Sequence, residues 1–122
     1  MPHSVINGNI SIETVFKDIK QIFIRSNDTI LKTNDFYVSK DHKSILIDAL
    51  CVKTGKKDTF FMLLNQRDDG IVIRISPITE VDKTDGVKML LAQITNSILK
   101  SYDNVTIGKT NLEKYLEMNL SE

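Results

Sequence analysis

Hydrophobic positions along this chain recur with two periods. At Ile12, Val15, Phe16, Ile19 and Phe23 they follow the three-and-four spacing of one helical face, with Lys17, Asp18, Lys20 and Gln21 off it. Ser11 suits the N-cap and Glu13 the first turn, so the pattern predicts a helix over 11–25 that fades at Ser26-Asn27-Asp28. Val87, Leu90, Leu91, Ile94 and Ile98 repeat the same spacing and predict a second helix over 84–100, capped by Asp82 or Thr84. Thr110-Asn111-Leu112-Glu113 reads as a capping box, and Leu112, Tyr115, Leu116 and Leu120 would line a short third helix.

Between the first two helices the period changes to two. Ile71, Ile73 and Ile75 alternate with Val72, Arg74 and Ser76 before Pro77 stops the pattern. Strands are expected at Asp35–Ser39, Ser44–Lys53, Asp58–Gln66 and Gly70–Ser76, joined by short polar links such as Thr54-Gly55-Lys56-Lys57 and Arg67-Asp68-Asp69. The expected fold class is α+β: a four-stranded antiparallel meander with two amphipathic helices on one face and a short C-terminal helix. Residues 1–10 read as a loose polar segment, 11–100 as the domain, and 101–122 as an extension.

One face of that sheet raises a question. Leu46, Leu50 and Val52 share a pleat face with Asp48, while Ile45, Ile47, Ala49 and Cys51 point the other way; Phe60–Leu64 is apolar on both faces. A two-layer domain leaves the second face to the third helix or to a partner.

Composition narrows the class. The 122 residues suit one domain, and no run of about 18 apolar residues exists to cross a membrane. The N-terminus lacks a basic stretch followed by an apolar run, so no signal peptide is expected. A single cysteine excludes an internal disulfide, and Cys51 mid-strand reads as a small core residue. Sixteen basic residues balance sixteen acidic ones, which argues against a nucleic-acid partner. His3 and His42 have no metal-ligand spacing, and no catalytic or cofactor motif is present, so a non-catalytic chain without cofactor or metal is expected. Residues 1–57 are net +3 (nine Lys/Arg, six Asp/Glu) and 58–122 net −3 (seven and ten). The candidate binding residues are therefore cations: Lys17 and Lys20 off the first stripe, Arg25 and Lys32 beyond it, Arg74 mid-strand, and Lys83 and Lys88 beside the second helix. Ordinary solvated surface is the competing reading.

Two stretches carry a family resemblance. "VFKDIKQIF" (15–23), and "GIVIRISPIT" (70–79) followed by "GVKMLLAQITNSIL", resemble the first helix, last strand and final helix of the kinase-associated-1 domain. That module ends kinases of the MARK and AMP-activated group and the yeast septin-associated kinases. The resemblance implies a non-catalytic C-terminal piece of a Ser/Thr kinase that binds acidic phospholipids such as phosphatidylserine and phosphoinositides. Lys17, Lys20, Arg25, Lys32 and Arg74 would be headgroup contacts, with Lys83 and Lys88 as further candidates. It implies a cytoplasmic protein at the inner face of the plasma membrane, at the bud neck if from a septin-associated kinase. The alternative is an autoinhibitory or protein-interaction module that contacts its own kinase domain, a septin-type scaffold or another protein. Pro77, where the family often has glycine, and the twenty-odd residues after the second helix depart from the pattern.

Overall fold

The computed structural model describes residues 1–118. It replaces the expected four-stranded meander with a seven-stranded, wholly antiparallel sheet, curled as a half barrel, and three short helices. The elements in chain order are β1 (His3–Gly8), α1 (Ile12–Asp18), β2 (Phe23–Ser26), β3 (Thr29–Val38), β4 (Ser44–Lys53), β5 (Lys56–Arg67), β6 (Gly70–Ile75), α2 (Asp85–Ser101), β7 (Val105–Thr110) and α3 (Glu113–Leu116). Strand order is β2-β3-β4-β5-β6-β1-β7, so five consecutive strands form a meander and the N-terminal strand is inserted between β6 and β7.

Tight turns set the meander's register. Thr54 and Gly55 both have positive φ, as a two-residue hairpin with matching twist requires, and they close β4 on β5 at Lys53 and Lys56. Asn27, also at positive φ, turns β2 into β3. Asp28 ties these two turns together: its carboxylate accepts from the Thr54 hydroxyl at 2.7 Å and its carbonyl accepts from Thr54 N–H at 3.0 Å. The hydroxyl contacts from Thr54 and Thr29 hold the Asp28 carboxyl below its usual range. In β3, Asn34 and Asp35 together oppose Asp48, a bulge that separates Thr33↔Ala49 from Phe36↔Ile47.

The sheet has one dry face. Ile6, Leu31, Ile45, Ile47, Met62, Leu64, Ile71 and Ile73 are fully buried there, under α1 and α2. The α2 stripe of Val87, Leu90, Leu91, Ile94 and Ile98 is buried as its spacing demands, and Thr84 caps the helix by accepting from Val87 N–H. Burial of each such side chain contributes about 1.5–3 kcal/mol.

The first helix is shorter than its stripe implies. It ends at Asp18, because Ile19 is already extended (ψ 135°). Beyond it a second pattern wins: Ile22 and Ile24 are buried and Phe23 lies 50% exposed between them, which is strand alternation. Thr33 fixes this entry, its hydroxyl accepting from Ile22 N–H at 2.8 Å and its own N–H donating to the Ile22 carbonyl.

Two further expectations change. The N-terminal residues are not loose: β1 pairs with β6 from His3↔Arg74 to Asn7↔Gly70 and with β7 on its other side. Gly70 permits this close approach, since a Cβ there would lie 1.8 Å from the Ile6 carbonyl oxygen. The third helix spans only Glu113–Leu116 and has no side-chain cap; Thr110 instead accepts from Leu112 N–H and donates to the His3 carbonyl within β7's pairing. It packs on α2, not on the sheet's second face, through Tyr115 O–H to Asp85 at 2.6 Å and Asn96 to the Leu116 carbonyl at 3.0 Å. Leu120 lies outside the described residues.

Candidate functional site

The helix-free face of the sheet is the largest feature the fold leaves unexplained. Register places on it Ile30 and Tyr37 of β3, Leu46, Leu50 and Val52 of β4, Phe61 and Leu63 of β5, and Val72 of β6. Most of these are half-buried; Tyr37 and, on β2, Phe23 are about half exposed at 51% and 50%. No helix covers them among the described residues. The alternation in β4 that sends Ile45, Ile47 and Ala49 to the core sends Leu46 and Leu50 here.

The seven cations picked from the sequence separate into three groups. Lys17 ends α1 and Lys20 follows it, both exposed on the helix side of the sheet. Lys20 borders a cleft of about 220 Å³ between α1 and α2, floored by Val15, Ile19, Ile22 and Ile98. At its mouth Tyr102 O–H donates to Asp18 at 2.7 Å, and burial followed by that bond pushes the phenol up to about 12. Lys83 and Lys88 sit near the start of α2, facing Asn111 and Leu112 across a separate cleft. Lys88 also stands 5.9 Å from the Tyr115 ring centre, at the outer limit of a cation–π contact.

Arg25, Lys32 and Arg74 alone share the open face. Arg25 opposes Ile30 and Lys32 opposes Phe23, so these two are diagonal neighbours. Arg74 lies three strands from Lys32, ~14 Å away across the sheet at the usual strand spacing. It does not pair with Asp48, which opposes Phe61 on β4; its Nη2 donates instead to Asn65 Oδ1 at 3.3 Å. Arg74 thus has a local role, reaching across the sheet to a neighbouring amide.

Cys51 is buried on the dry side, and burial, followed by the nearby Asp58 charge, pushes its thiol up to about 11. Among the described residues no cluster of three metal-ligating side chains exists, and no buried side-chain polar atom lacks a partner. The buried side-chain polar atoms of the described residues are thus all partnered within the fold. Comparison with protein-family models, curated proteins and solved structures finds no match for this chain.

Proposed function

We propose that this chain is a non-catalytic docking module whose open sheet face receives a second protein. The observation that carries this is the apolar set Leu46, Leu50, Phe61, Leu63 and Val72, on one face with Asp48 and Arg74 among them and covered by no helix among the described residues. Apolar and aromatic side chains with a few charged residues among them suit a protein interface, which as a whole is about as apolar as ordinary surface. Five strands by about five residues give ~400 Å² of projected surface at usual sheet spacings. That is below the roughly 800 Å² per partner of a standard stable interface, so a weak or transient partner fits best.

A lipid-headgroup site is the weaker reading. Such a site needs its cations gathered, since each contributes only about 1 kcal/mol near an anionic leaflet. Here Lys17 and Lys20 lie on the helix side, and Arg25 and Lys32 lie strands away from Arg74.

Photo-crosslinking tests the proposal. Benzoylphenylalanine at Leu50 or Leu63 should give discrete protein adducts in the source cells, and the same group at Lys17 should not. Equal adduct patterns from all three positions, or none, would overturn it. Co-sedimentation with phosphatidylserine vesicles that disappears on charge reversal of Arg25, Lys32 and Arg74, without protein adducts, would replace it with the membrane reading.

A further inference from the structure

Strand β5 is paired along its whole length on one side only. β4 accompanies it down to Lys56, whereas β6 accompanies it only from Arg67 to Met62. At Ser76-Pro77 the chain leaves the sheet. One further bond survives, from Ser76 N–H to the Phe61 carbonyl at 2.7 Å, and the Thr79 hydroxyl then stands in for a strand by accepting Phe61 N–H at 3.3 Å.

Backbone groups of alternate residues in a strand point to the same side. Phe61 faces the β6 side with both its groups, so Thr59 and Lys57 do the same. Among the described residues no group bonds them there. The departing chain is tied to this strand at both ends of the interval, by the Thr79 hydroxyl at Phe61 N–H and by the Lys56–Asp82 ion pair at 2.6 Å. It runs past it as Thr79–Lys83 and leaves a cleft of about 660 Å³ between the two segments. A slot therefore lies beside residues 57–59, whose outward backbone donors and acceptors are unbonded among the described residues.

A second cleft of about 350 Å³ adjoins the slot on the open face. Phe61 and Ile78 supply apolar walls, and Asp48 and Glu80 supply two carboxylates; Ile78 is 77% exposed. Neither carboxylate takes part in an ion pair among the described residues. An aliphatic stem ending in a cation matches this combination.

We propose that the slot binds a short extended peptide paired beside Lys57–Thr59, with an arginine or lysine of that peptide seated between Asp48 and Glu80. Main-chain bonds to Lys57 and Thr59 supply the pairing, and the acidic cleft supplies the preference. The site is read from edge geometry and shares Phe61 with the docking face described above.

The test uses a phage-displayed random hexapeptide library panned against the full chain. Enriched peptides should carry Arg or Lys among β-branched or aromatic residues. Each should slow hydrogen exchange at the Lys57 and Thr59 amides at least tenfold. Thr59→Pro removes one of the slot's donors without removing a bond to β4, so peptide affinity should fall at least tenfold while circular dichroism stays native. Glu80→Arg, in the exposed connecting segment, should abolish the basic preference even if the proline variant fails to fold. The proposal is overturned by an absence of enriched peptides, by binding that leaves the two amides unprotected, or by binding indifferent to Glu80→Arg. Edge-to-edge dimerisation of the chain through Lys57–Thr59, seen by sedimentation, would overturn it in favour of a second copy.

Discussion

Gly70→Ala should be among the most damaging conservative substitutions in this chain. The added Cβ would stand 1.8 Å from the Ile6 carbonyl oxygen, 2.9 Å from its carbonyl carbon and 3.1 Å from Asn7 Cα. Relief to the 3.0 Å that real contacts respect needs a shift of 1.2 Å (3.0 minus 1.8) between two backbones. β1 cannot supply it cheaply, because it is held on its other side by β7 and carries the fully buried Ile6 and Ser4. Overpacking typically costs ~1–3 kcal/mol, and backbone against backbone belongs at the upper end, so about 3 kcal/mol is expected. For a chain of this length each kcal/mol lowers Tm by roughly 3–5 °C, between the values for smaller and larger domains. Calorimetry should therefore show a fall of about 9–15 °C, and hydrogen exchange should quicken first in β1 and β7. Gly55→Ala is the control: it has positive φ (+80°) but nothing within 4 Å, so only about 1 kcal/mol of conformational strain is expected. If Gly70→Ala melts no lower than Gly55→Ala, the account of β1's docking is wrong.

Other substitutions probe separate parts of the argument. Gln66 accepts from Ile12 N–H at 2.7 Å and donates to the Ile10 carbonyl, so Gln66→Ala should cost about 1–3 kcal/mol in chemical denaturation by stranding a helix N-terminal donor. On the open face Leu63→Asp should cost under about 1.5 kcal/mol, whereas Ile47→Asp, at a position with no exposure, should abolish cooperative unfolding. Cys51 should react with a thiol reagent at pH 8 only as fast as the chain unfolds, since its thiol titrates near 11; a burst of labelling in native protein would contradict its burial. Tyr102 has a folded pKa raised to about 12 from 10.0, so the stability it contributes is complete below pH 10 and declines as pH rises toward 12. Tyr102→Phe should remove that decline, which pH-dependent melts would show.

The parts of the fold legible in the sequence were those whose local signals agreed with each other. α2 has a long stripe, a capping threonine and no competing period, and it lies at Asp85–Ser101 as expected of 84–100. β4, β5 and β6 are joined by turns of two residues, so alternation and turn chemistry pointed to the same hairpins. The first helix misled because Ile24 belongs to a strand and Ile22 to its entry, while Phe23 falls by coincidence on the helical stripe. β1 and β7 were hidden for a different reason: each is six residues long, and what holds them is each other and β6, not anything nearby in sequence. The open face was visible as the Leu46–Leu50–Val52 pleat row; the slot beside β5 was not, because it depends on where the chain goes after Pro77.

The position of β1 also sets a timetable. β1 precedes both of its sheet neighbours, β6 and β7, along the chain, so residues 3–8 emerge from a ribosome long before either is made. The β2–β6 meander can zip sequentially as it appears, each strand finding its neighbour within a turn's length. The first strand must wait for residue 75 to gain one neighbour and for residue 110 to gain the second. During that interval Val5 and Ile6 are unsheltered and β6 presents a bare edge, which is the state most open to pairing with the wrong chain. Truncations ending before Val105 should therefore aggregate during synthesis, while full-length chains at the same concentration remain dispersed.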